Sequence, residues 1–254
     1  MNGVQLQGAI WSAGPFEEIA AGAAPSHDAL VSGLAPRPGE RWLDVGTGTG
    51  AVAIRAARAG ADVTAVDIAP RMLETATRSA AAAGLRIRFE LADAERLPYA
   101  DAAFDVVSSA QGVIFALDPR AAARQLARVC RPGGRLGLTC LRPAGLAADL
   151  SLRVGAGGQA LAWGDRAFVN ELLLRWFELS YSEGDAPFHA PSPQAAAALY
   201  ARAYPPLRFF AEWCEDCAHE LQGELVKIFT RYVVDGAVRA PRPYLLVLGR
   251  RRAR

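Results

Sequence analysis

The sequence predicts an α/β protein built on a doubly wound parallel sheet, and three observations favour this fold class. Short apolar strands and helices alternate five times between residues 41 and 141, with short connections between them. A stretch with three glycines, residues 46–50, follows the first predicted strand and opens the first helix. An acidic residue, Asp67, ends the second strand. Because ligands of such sheets bind beyond the carboxyl ends of the strands, we expect the functional residues at these positions.

The elements of this sheet are predicted from apolar runs and from the residues that end them. Proline is tolerated in the first turn of a helix, as at Pro70, and glycine is favoured after the last turn, as at Gly84. An Arg-Pro-Gly-Gly sequence at 131–134 ends the helix before the fifth strand. The predicted strands are 41–45, 62–66, 87–91, 104–108 and 135–141, and the predicted helices are 51–59, 70–83 and 119–130.

The two ends of the chain are interpreted as helical additions to the sheet. Residues 1–40 are expected to form an N-terminal helical segment that serves as a lid. Residues 41–254 are expected to form the main domain. Two further predicted strands, 176–182 and 244–249, lie on either side of a block at about 190–240. This block is interpreted as a helical cap inserted between the last two strands.

Composition and charge exclude several classes of protein. The 254 residues are 52% hydrophobic and 21% charged, which allows a packed core and excludes general disorder. The net charge of +2 gives no reason to expect a nucleic-acid partner. No run of about 18 apolar residues occurs, and the first ten residues lack the pattern of a secretory signal. We therefore expect a cytoplasmic protein without a membrane partner, as a monomer or a homodimer.

The four cysteines of the chain are too few for a disulfide framework. Cys214, Cys217 and His219 come nearest to a metal-binding pattern. A structural zinc site needs four ligands, and no second pair lies near this stretch, which has a helical pattern. The sequence therefore predicts no bound metal.

The glycine-rich stretch is the strongest functional motif. Gly46, Gly48 and Gly50 let a ligand approach the main chain, because glycine has no Cβ and adopts positive φ. The stretch also fits the dinucleotide pattern G-x-G-x-x-A, with Asp67 near the distance expected for a residue that binds a ribose hydroxyl. Asp44 argues against a dinucleotide, because a carboxylate in that turn would repel the pyrophosphate. It suits instead a ligand with a cationic end, such as an amino acid or a sulfonium.

Four motifs in order carry a resemblance to a known family. They are Asp44-x-Gly46-x-Gly48-x-Gly50, residues 63–73, residues 91–107, and residues 128–134 ending in Pro-Gly-Gly. With them the chain resembles the class I S-adenosylmethionine-dependent methyltransferases, in particular the group of methyltransferase domain 11 type. That group includes ubiquinone- and menaquinone-type enzymes and many small-molecule methyltransferases. The resemblance implies a Rossmann-like sheet of seven strands, mostly parallel with the last antiparallel. It also implies S-adenosyl-L-methionine as cofactor and S-adenosyl-L-homocysteine as product.

The resemblance further implies how the cofactor is held. Asp67 would accept hydrogen bonds from both ribose hydroxyls, and Asp44 would favour the ammonium group of the methionine part. Ile68 and Met72 would pack against the adenine ring, and Asp93 would accept a hydrogen bond from its amino group. The implied cofactor-binding residues are Asp44, Gly46, Thr47, Gly48, Gly50, Asp67, Ile68, Met72, Asp93, Ala94, Ser109 and Gln111.

The methyl acceptor is expected to be a small hydrophobic or aromatic molecule. Aromatic side chains near both ends of the chain are expected to bind it. Trp11, Phe16, Tyr200 and Tyr204 are the predicted substrate-binding residues. Residues 108–111 follow the fourth strand and lack the Asp/Asn-Pro-Pro-Tyr motif of nucleic-acid amino methyltransferases, so no nucleic-acid substrate is expected. The nucleophile is an oxygen, nitrogen or carbon atom, and a role in secondary metabolism fits such an acceptor.

Methyl transfer requires no particular catalytic side chain, because the cofactor carries the reactive group. His27 and Gln111 are the candidate catalytic residues, although Gln111 cannot take a proton. Two other functions stay open, namely a protein that binds the cofactor without turnover and a nicotinamide-dependent reductase. The reductase is disfavoured because its Tyr-x-x-x-Lys motif is absent. The one lysine of the chain, Lys227, has Gly223 four residues before it.

Overall fold

The computed structural model describes residues 2–154, 158–212 and 215–253 as a sheet with helices on both faces. Its strands are β1 Arg41–Val45, β2 Asp62–Asp67, β3 Arg88–Leu91, β4 Phe104–Ala110, β5 Cys130–Leu141, β6 Phe177–Asp185, β7 Phe188–Ala190, β8 Val233–Val234, β9 Ala237–Ala240 and β10 Pro243–Arg251. Its α-helices are α1 Gly3–Trp11, α2 Glu17–Ala20, α3 Ala24–Leu34, α4 Ala51–Arg58, α5 Pro70–Ala82, α6 Pro119–Val129, α7 Gly145–Val154, α8 Gly158–Ala162, α9 Arg166–Leu173, α10 Pro193–Ala203, α11 Pro205–Ala211 and α12 Glu215–Thr230. Short 3-10 turns lie at Ala21–Ala23 and Val113–Phe115.

Seven of the described strands form one sheet, in the order β3-β2-β1-β4-β5-β10-β6. β1 pairs in parallel with β2 and β4, and β3 and β5 extend the parallel part on either side. β10 runs antiparallel between β5 and β6. The prediction of a doubly wound, mostly parallel, seven-stranded sheet with an antiparallel last strand is therefore confirmed. The strand order reverses at β1 and β4, and the carboxyl ends of these strands mark the expected ligand site.

Helices cover both faces of this sheet and bury an apolar layer on each. α3 and α4 pack on one face, where Leu30 and Trp42 are fully buried. α6 and α9 pack on the other face around Leu126 and Leu136. α6 begins at its proline because the side chain of Asp118 accepts hydrogen bonds from two main-chain amides of the first turn. This rigid scaffold fixes the loops at the carboxyl ends of the strands.

A second group of elements forms a cap with an apolar core of its own. The cap comprises α10, α11 and α12, which lie between β6 and β10 in the chain, together with α7 and the small antiparallel sheet β7-β9-β8. Tyr200, Phe229 and Val238 are buried in its core. Ile19 of the N-terminal segment packs into the same core, so this segment is joined to the cap.

The cap contains strands that the sequence pattern does not predict. The block at about 190–240 is expected to be helical, but α12 ends at Thr230 and residues 233–240 form a hairpin. Its turn is Asp235-Gly236, with φ angles of 50° and 79°. This pair of residues is typical of a tight hairpin turn, so it was the feature of the sequence that could have predicted the hairpin. Strands of two and four residues are too short to show alternation of apolar and polar positions.

Candidate functional site

A cavity of about 220 Å³ lies at the carboxyl ends of β1, β2 and β4, where the strand order predicts a ligand site. The sheet contributes the loops after its first four strands. The opposite side comes from α1, α2, α3, α7, α8 and the cap. Nine predicted cofactor residues line the cavity, namely Gly46, Thr47, Gly48, Asp67, Ile68, Met72, Asp93, Ala94 and Gln111.

The glycine-rich loop after β1 touches the loop after β4 through main-chain atoms. Gly46 has a φ of 64°, and a Cβ added to it would lie 2.8 Å from the Cα of Gly112. A Cβ added to Gly112 would lie 2.5 Å from the carbonyl oxygen of Gly46. Both positions therefore require glycine. Sequence reasoning missed Gly112, for which a glycine shortly after a predicted strand was the available signal.

Asp67 ends β2 and contacts the glycine-rich loop. Its Oδ2 accepts a hydrogen bond from the main-chain amide of Gly48 at 2.8 Å, and its Oδ1 accepts one from Ala69 at 3.0 Å. Burial raises the pKa of Asp67, whereas the amides of Ala69 and Gly48 oppose that shift. A carboxylate offers about four lone-pair sites, so this fixed carboxylate retains acceptor capacity for a ligand.

An apolar surface and a second carboxylate line the cavity beyond β2 and β3. Ile68 and Met72 contribute the apolar surface from the start of α5. Asp93 and Ala94 lie in the loop after β3. Oδ1 of Asp93 accepts a hydrogen bond from the main-chain amide of Glu95 at 2.9 Å, which fixes the turn. A hydrogen-bond acceptor and an apolar wall thus lie in one part of the cavity.

Asp44 is buried in β1, with 1% of its surface exposed. Its Oδ1 accepts a hydrogen bond from the hydroxyl of Ser108, and its Oδ2 accepts one from Thr47, both at 2.6 Å. Ser108 in turn accepts a hydrogen bond from the indole of Trp42 at 2.8 Å. Burial raises the pKa of Asp44 to about 6, and the two hydroxyls oppose that shift. Asp44 therefore links β4 to the glycine-rich loop.

Three of the predicted cofactor residues do not line the cavity. Both carboxylate oxygens of Asp44 accept hydrogen bonds from protein hydroxyls, and its effect on the ammonium group of the methionine part, directly or through water, stays a prediction. Gly50 directly precedes α4, and a Cβ added to it would lie 3.0 Å from the Cβ of Ala76. Ser109 is fully buried and accepts a hydrogen bond from the amide of Val113 at 2.9 Å. These residues lie behind the cavity wall because the sheet and its helices enclose them.

One end of the cavity is aromatic. The ring centroid of Trp11 lies 4.7 Å from that of Phe115, 5.9 Å from Phe16 and 6.3 Å from Tyr204. The ring of Tyr200 lies 5.9 Å from Tyr204. These five residues, called the aromatic cluster below, all line the cavity. The structure thus brings together the four predicted substrate-binding residues and adds Phe115, which the sequence pattern does not reveal.

α1 carries Trp11 to the cavity by packing on the loops after β2 and β4. A Cβ added to Gly8 would lie 2.6 Å from the carbonyl oxygen of Ile68. Nε2 of Gln7 donates a hydrogen bond to the carbonyl oxygen of Phe115 at 2.7 Å. The N-terminal segment is therefore attached to the sheet side as well as to the cap.

The two candidate catalytic residues, His27 and Gln111, line the same cavity. Gln111 follows β4 with a φ of 55°, a conformation that few residues other than glycine adopt. His27 is on α3 with 9% of its surface exposed. Burial, together with the positive charges of Arg55 and Arg242, lowers the pKa of His27 to about 4. The imidazole of His27 is therefore neutral at pH 7.

Arg242 is a lining residue that sequence reasoning missed. It lies directly before β10, at the end of the cap. Nothing in the local sequence distinguishes it from the other arginines, because its place in the cavity depends on how the cap packs against the N-terminal segment.

Among residues 2–154, 158–212 and 215–253, no group of three or more His, Cys, Asp or Glu side chains is placed to hold a metal ion. Cys214 lies outside the described residues, as does the side chain of Cys217. In the same part of the chain, no helix is long and apolar enough to cross a membrane.

Comparison with known proteins identifies the domain that holds the cavity. A family model described as a methyltransferase domain matches residues 43–138, which run from β1 into β5. Over this domain the chain is similar to the class I S-adenosylmethionine-dependent methyltransferases. The resemblance in the sequence motifs is therefore confirmed. The cofactor of this class is S-adenosyl-L-methionine, and loss of its methyl group gives the product S-adenosyl-L-homocysteine.

Two relatives are similar to this chain in sequence, and one solved structure shares its fold. An uncharacterised protein of Mycobacterium tuberculosis is 38% identical over 184 residues, which cover 65% of this chain and 64% of the relative. The 27-O-demethylrifamycin SV methyltransferase of Amycolatopsis mediterranei is 44% identical over 129 residues, or 48% of this chain and 47% of that enzyme. The match therefore spans less than two thirds of the length of these relatives. The YcgJ protein of Bacillus subtilis shares the fold, with a TM-score of 0.62 and 18% identity over 91% of this chain and 99% of YcgJ.

Proposed function

We propose that this methyltransferase transfers the methyl group of S-adenosylmethionine to an oxygen, nitrogen or carbon nucleophile of a small hydrophobic or aromatic molecule. One observation carries the proposal, namely that a single cavity joins Asp67 and the glycine-rich loop to the aromatic cluster. A charged cofactor and an apolar acceptor can meet in such a cavity. The relative named as a 27-O-demethylrifamycin SV methyltransferase supports an acceptor from secondary metabolism.

The residues beyond β1, β2 and β3 fit the cofactor. Gly48 lines the cavity, and a Cβ added to it would meet no protein atom within 4 Å, so its main chain faces open space. Asp67 retains lone pairs for the two ribose hydroxyls. Ile68 and Met72 offer an apolar surface to the adenine ring, and Asp93 offers an acceptor to its amino group. When bound, the cofactor supplies an electrophilic methyl group on a positively charged sulfur.

The aromatic cluster is the proposed binding site of the acceptor. Trp11 and Phe16 come from the N-terminal segment, whereas Tyr200 and Tyr204 come from the cap. We therefore assign residues 1–40 as a lid that, with the cap, covers the acceptor and excludes water. Water exclusion favours transfer to the acceptor over side reactions of the methyl group. Cytoplasmic location and a monomeric or homodimeric state stay predictions of the sequence.

His27 is the proposed catalytic residue that contacts the nucleophile. Its neutral imidazole can accept a hydrogen bond from a hydroxyl or amine of the acceptor and take up the proton as the methyl group is transferred. Its low pKa follows from burial on α3, so the ring is already unprotonated when the acceptor binds.

His27→Ala is expected to lower kcat about tenfold or more, because one hydrogen bond to the nucleophile is lost. His27→Gln keeps a hydrogen-bonding group and should retain part of the rate. Since the pKa of His27 is about 4, kcat/KM of the wild type should show no titration of this group above about pH 5. Initial rates across pH and cofactor affinities by calorimetry provide the measurements. Weakened cofactor binding with an unchanged kcat would contradict the assigned role.

Gly112→Ala is expected to weaken cofactor binding about tenfold. The added methyl group would displace the loop after β1, because it would lie 2.5 Å from the carbonyl oxygen of Gly46. Gly223→Ala is the matched control, since Gly223 is exposed on α12 and a Cβ there meets no atom within 4 Å. Calorimetric titration with S-adenosylhomocysteine measures the change. Equal affinities of Gly112→Ala and the wild type for S-adenosylhomocysteine would show that the added methyl group does not disturb the loop after β1.

The proposed function is tested first by titrating the protein with S-adenosylmethionine, S-adenosylhomocysteine and NADH. Micromolar binding of the first two and none of NADH is expected. Transfer of a labelled methyl group to extracted small molecules then tests turnover. Cofactor binding without transfer to any extract would favour the alternative of a non-catalytic cofactor-binding protein. Binding of NADH alone would contradict the cofactor assignment.

A further inference from the structure

Arg242 gives the cap side of the cavity a positive charge. Among the described lining residues it is the one arginine or lysine, and Tyr200 of the aromatic cluster lines the cavity with it. The lining carboxylates, Asp67, Asp93 and Glu95, instead lie at the end of β2 and in the loop after β3. The charges of the cavity are therefore separated, with the negative groups at the proposed cofactor end and the positive group at the proposed acceptor end.

The guanidinium of Arg242 is held in place without an acidic partner. Its Nε donates a hydrogen bond to the carbonyl oxygen of Ala186 at 2.7 Å, and a terminal nitrogen donates one to that of Gly22. Tyr200 is its neighbour, and the positive charge of Arg242 opposes the rise that burial causes in the pKa of Tyr200. Asp185 accepts a hydrogen bond from the main-chain amide of Arg242, and no carboxylate in the described part of the chain pairs with the guanidinium.

This arrangement leaves part of the guanidinium available to a ligand. A guanidinium has five N–H donors, and the contacts with Ala186 and Gly22 use two of them. Arg242 is half-buried among aromatic rings, with the ring of Phe188 5.9 Å from its Cζ. An anion in such a site is attracted more strongly than in water, because the surroundings are less polarisable.

We propose that the methyl acceptor carries a carboxylate that binds Arg242 beside Tyr200. This inference rests on the proposed function, because the acceptor must occupy the same cavity. A carboxylate forms short, charge-assisted hydrogen bonds with a guanidinium, whereas a neutral amide or ester leaves the positive charge uncompensated. The aromatic cluster then binds the apolar body of the same molecule. The acceptor class is therefore an apolar, aromatic carboxylic acid.

The test compares two molecules of one shape that differ in charge, 2-naphthoate and 2-naphthamide. Each is titrated by calorimetry into protein saturated with S-adenosylhomocysteine. We expect naphthoate to bind about tenfold more tightly or better, which is the effect of one hydrogen bond to a charged group. Arg242→Gln should abolish this preference. Arg239→Gln, which removes an exposed arginine of β9, should retain it.

Three outcomes would overturn the proposal. They are equal affinity of the two molecules for the wild type, binding of neither, and a preference for naphthoate that persists in folded Arg242→Gln. A purely structural role of Arg242 would lower thermal stability in that variant without changing the preference. The wild-type comparison needs no variant, so equal affinities would overturn the proposal even where Arg242→Gln does not fold. Absence of S-adenosylhomocysteine binding would overturn the proposed function itself, whereas binding of it with equal affinities for both probes would overturn the carboxylate proposal alone.

Discussion

Asp67→Ala is expected to weaken the binding of S-adenosylmethionine about 100-fold or more. The carboxylate is held by the amides of Gly48 and Ala69, and it can accept hydrogen bonds from both ribose hydroxyls. Each hydrogen bond to a charged group contributes about 1.5–3 kcal/mol, so the loss of two corresponds to a factor of about 100 or more in affinity. Calorimetric titration with S-adenosylmethionine and S-adenosylhomocysteine measures the change.

The effect of Asp67→Ala must be separated from a loss of the fold. The substitution also removes the acceptor for two main-chain amides, so thermal unfolding and circular dichroism accompany the titration. Asp67→Asn retains one acceptor oxygen and should bind the cofactor with intermediate affinity. Asp62→Ala is the matched control, because Asp62 is an exposed aspartate at the other end of β2. Wild-type affinity in folded Asp67→Ala would show that Asp67 does not bind the ribose.

The cofactor end of the site was predictable because its signals are local in sequence. The alternation of strands and helices, the glycines after β1 and the aspartate after β2 each lie within a few residues of a strand end. The topology rule for parallel sheets then brings these strand ends together. Gly46 and Asp67 consequently line the cavity as predicted.

The direction of the Asp44 side chain was not predictable in this way. One of its partners, Thr47, is three residues away, but the other, Ser108, is 64 residues away and reaches it through the pairing of β1 with β4. The sequence indicates a carboxylate next to the glycine-rich loop. Which hydroxyls it meets depends on strand register, which the motif does not contain.

The acceptor end depends on contacts between distant parts of the chain. Gln7 reaches Phe115 across 108 residues, and Arg242 reaches Gly22 across 220 residues. The aromatic residues at both ends of the chain could be proposed for this site because large aromatic side chains dominate apolar pockets. An arginine such as Arg242 gives no comparable signal, since its role depends on the absence of a nearby carboxylate in the folded protein.

Asp44→Asn is expected to remove a pH-dependent loss of stability. In the folded protein the pKa of Asp44 is about 6, against an ordinary value of 3.8, because the side chain is buried. The folded state therefore binds this proton more tightly than the unfolded state. It follows that the free energy of unfolding decreases as the pH rises from about 4 to about 6 and that the contribution of Asp44 is constant above this range.

The size of this effect follows from the pKa shift. A rise from 3.8 to about 6 corresponds to about 3 kcal/mol at 1.36 kcal/mol per pKa unit. Asparagine has the same shape and no charge, and its amide can bond the hydroxyls of Thr47 and Ser108 after these rotate. The free energy of unfolding of Asp44→Asn minus that of the wild type should therefore increase by about 3 kcal/mol as the pH rises from about 4 to about 7.

Urea unfolding of the wild type and Asp44→Asn at several pH values measures this difference. Taking the difference removes the contribution of other acids, such as Asp105, whose pKa is lowered by Arg41 and which therefore has the opposite pH dependence. Asp62→Asn, at the exposed start of β2, is the matched control for replacing an aspartate by asparagine. A constant difference between Asp44→Asn and the wild type across this range would show that Asp44 is ionised throughout. In that case the hydroxyls of Thr47 and Ser108 would compensate fully for its burial.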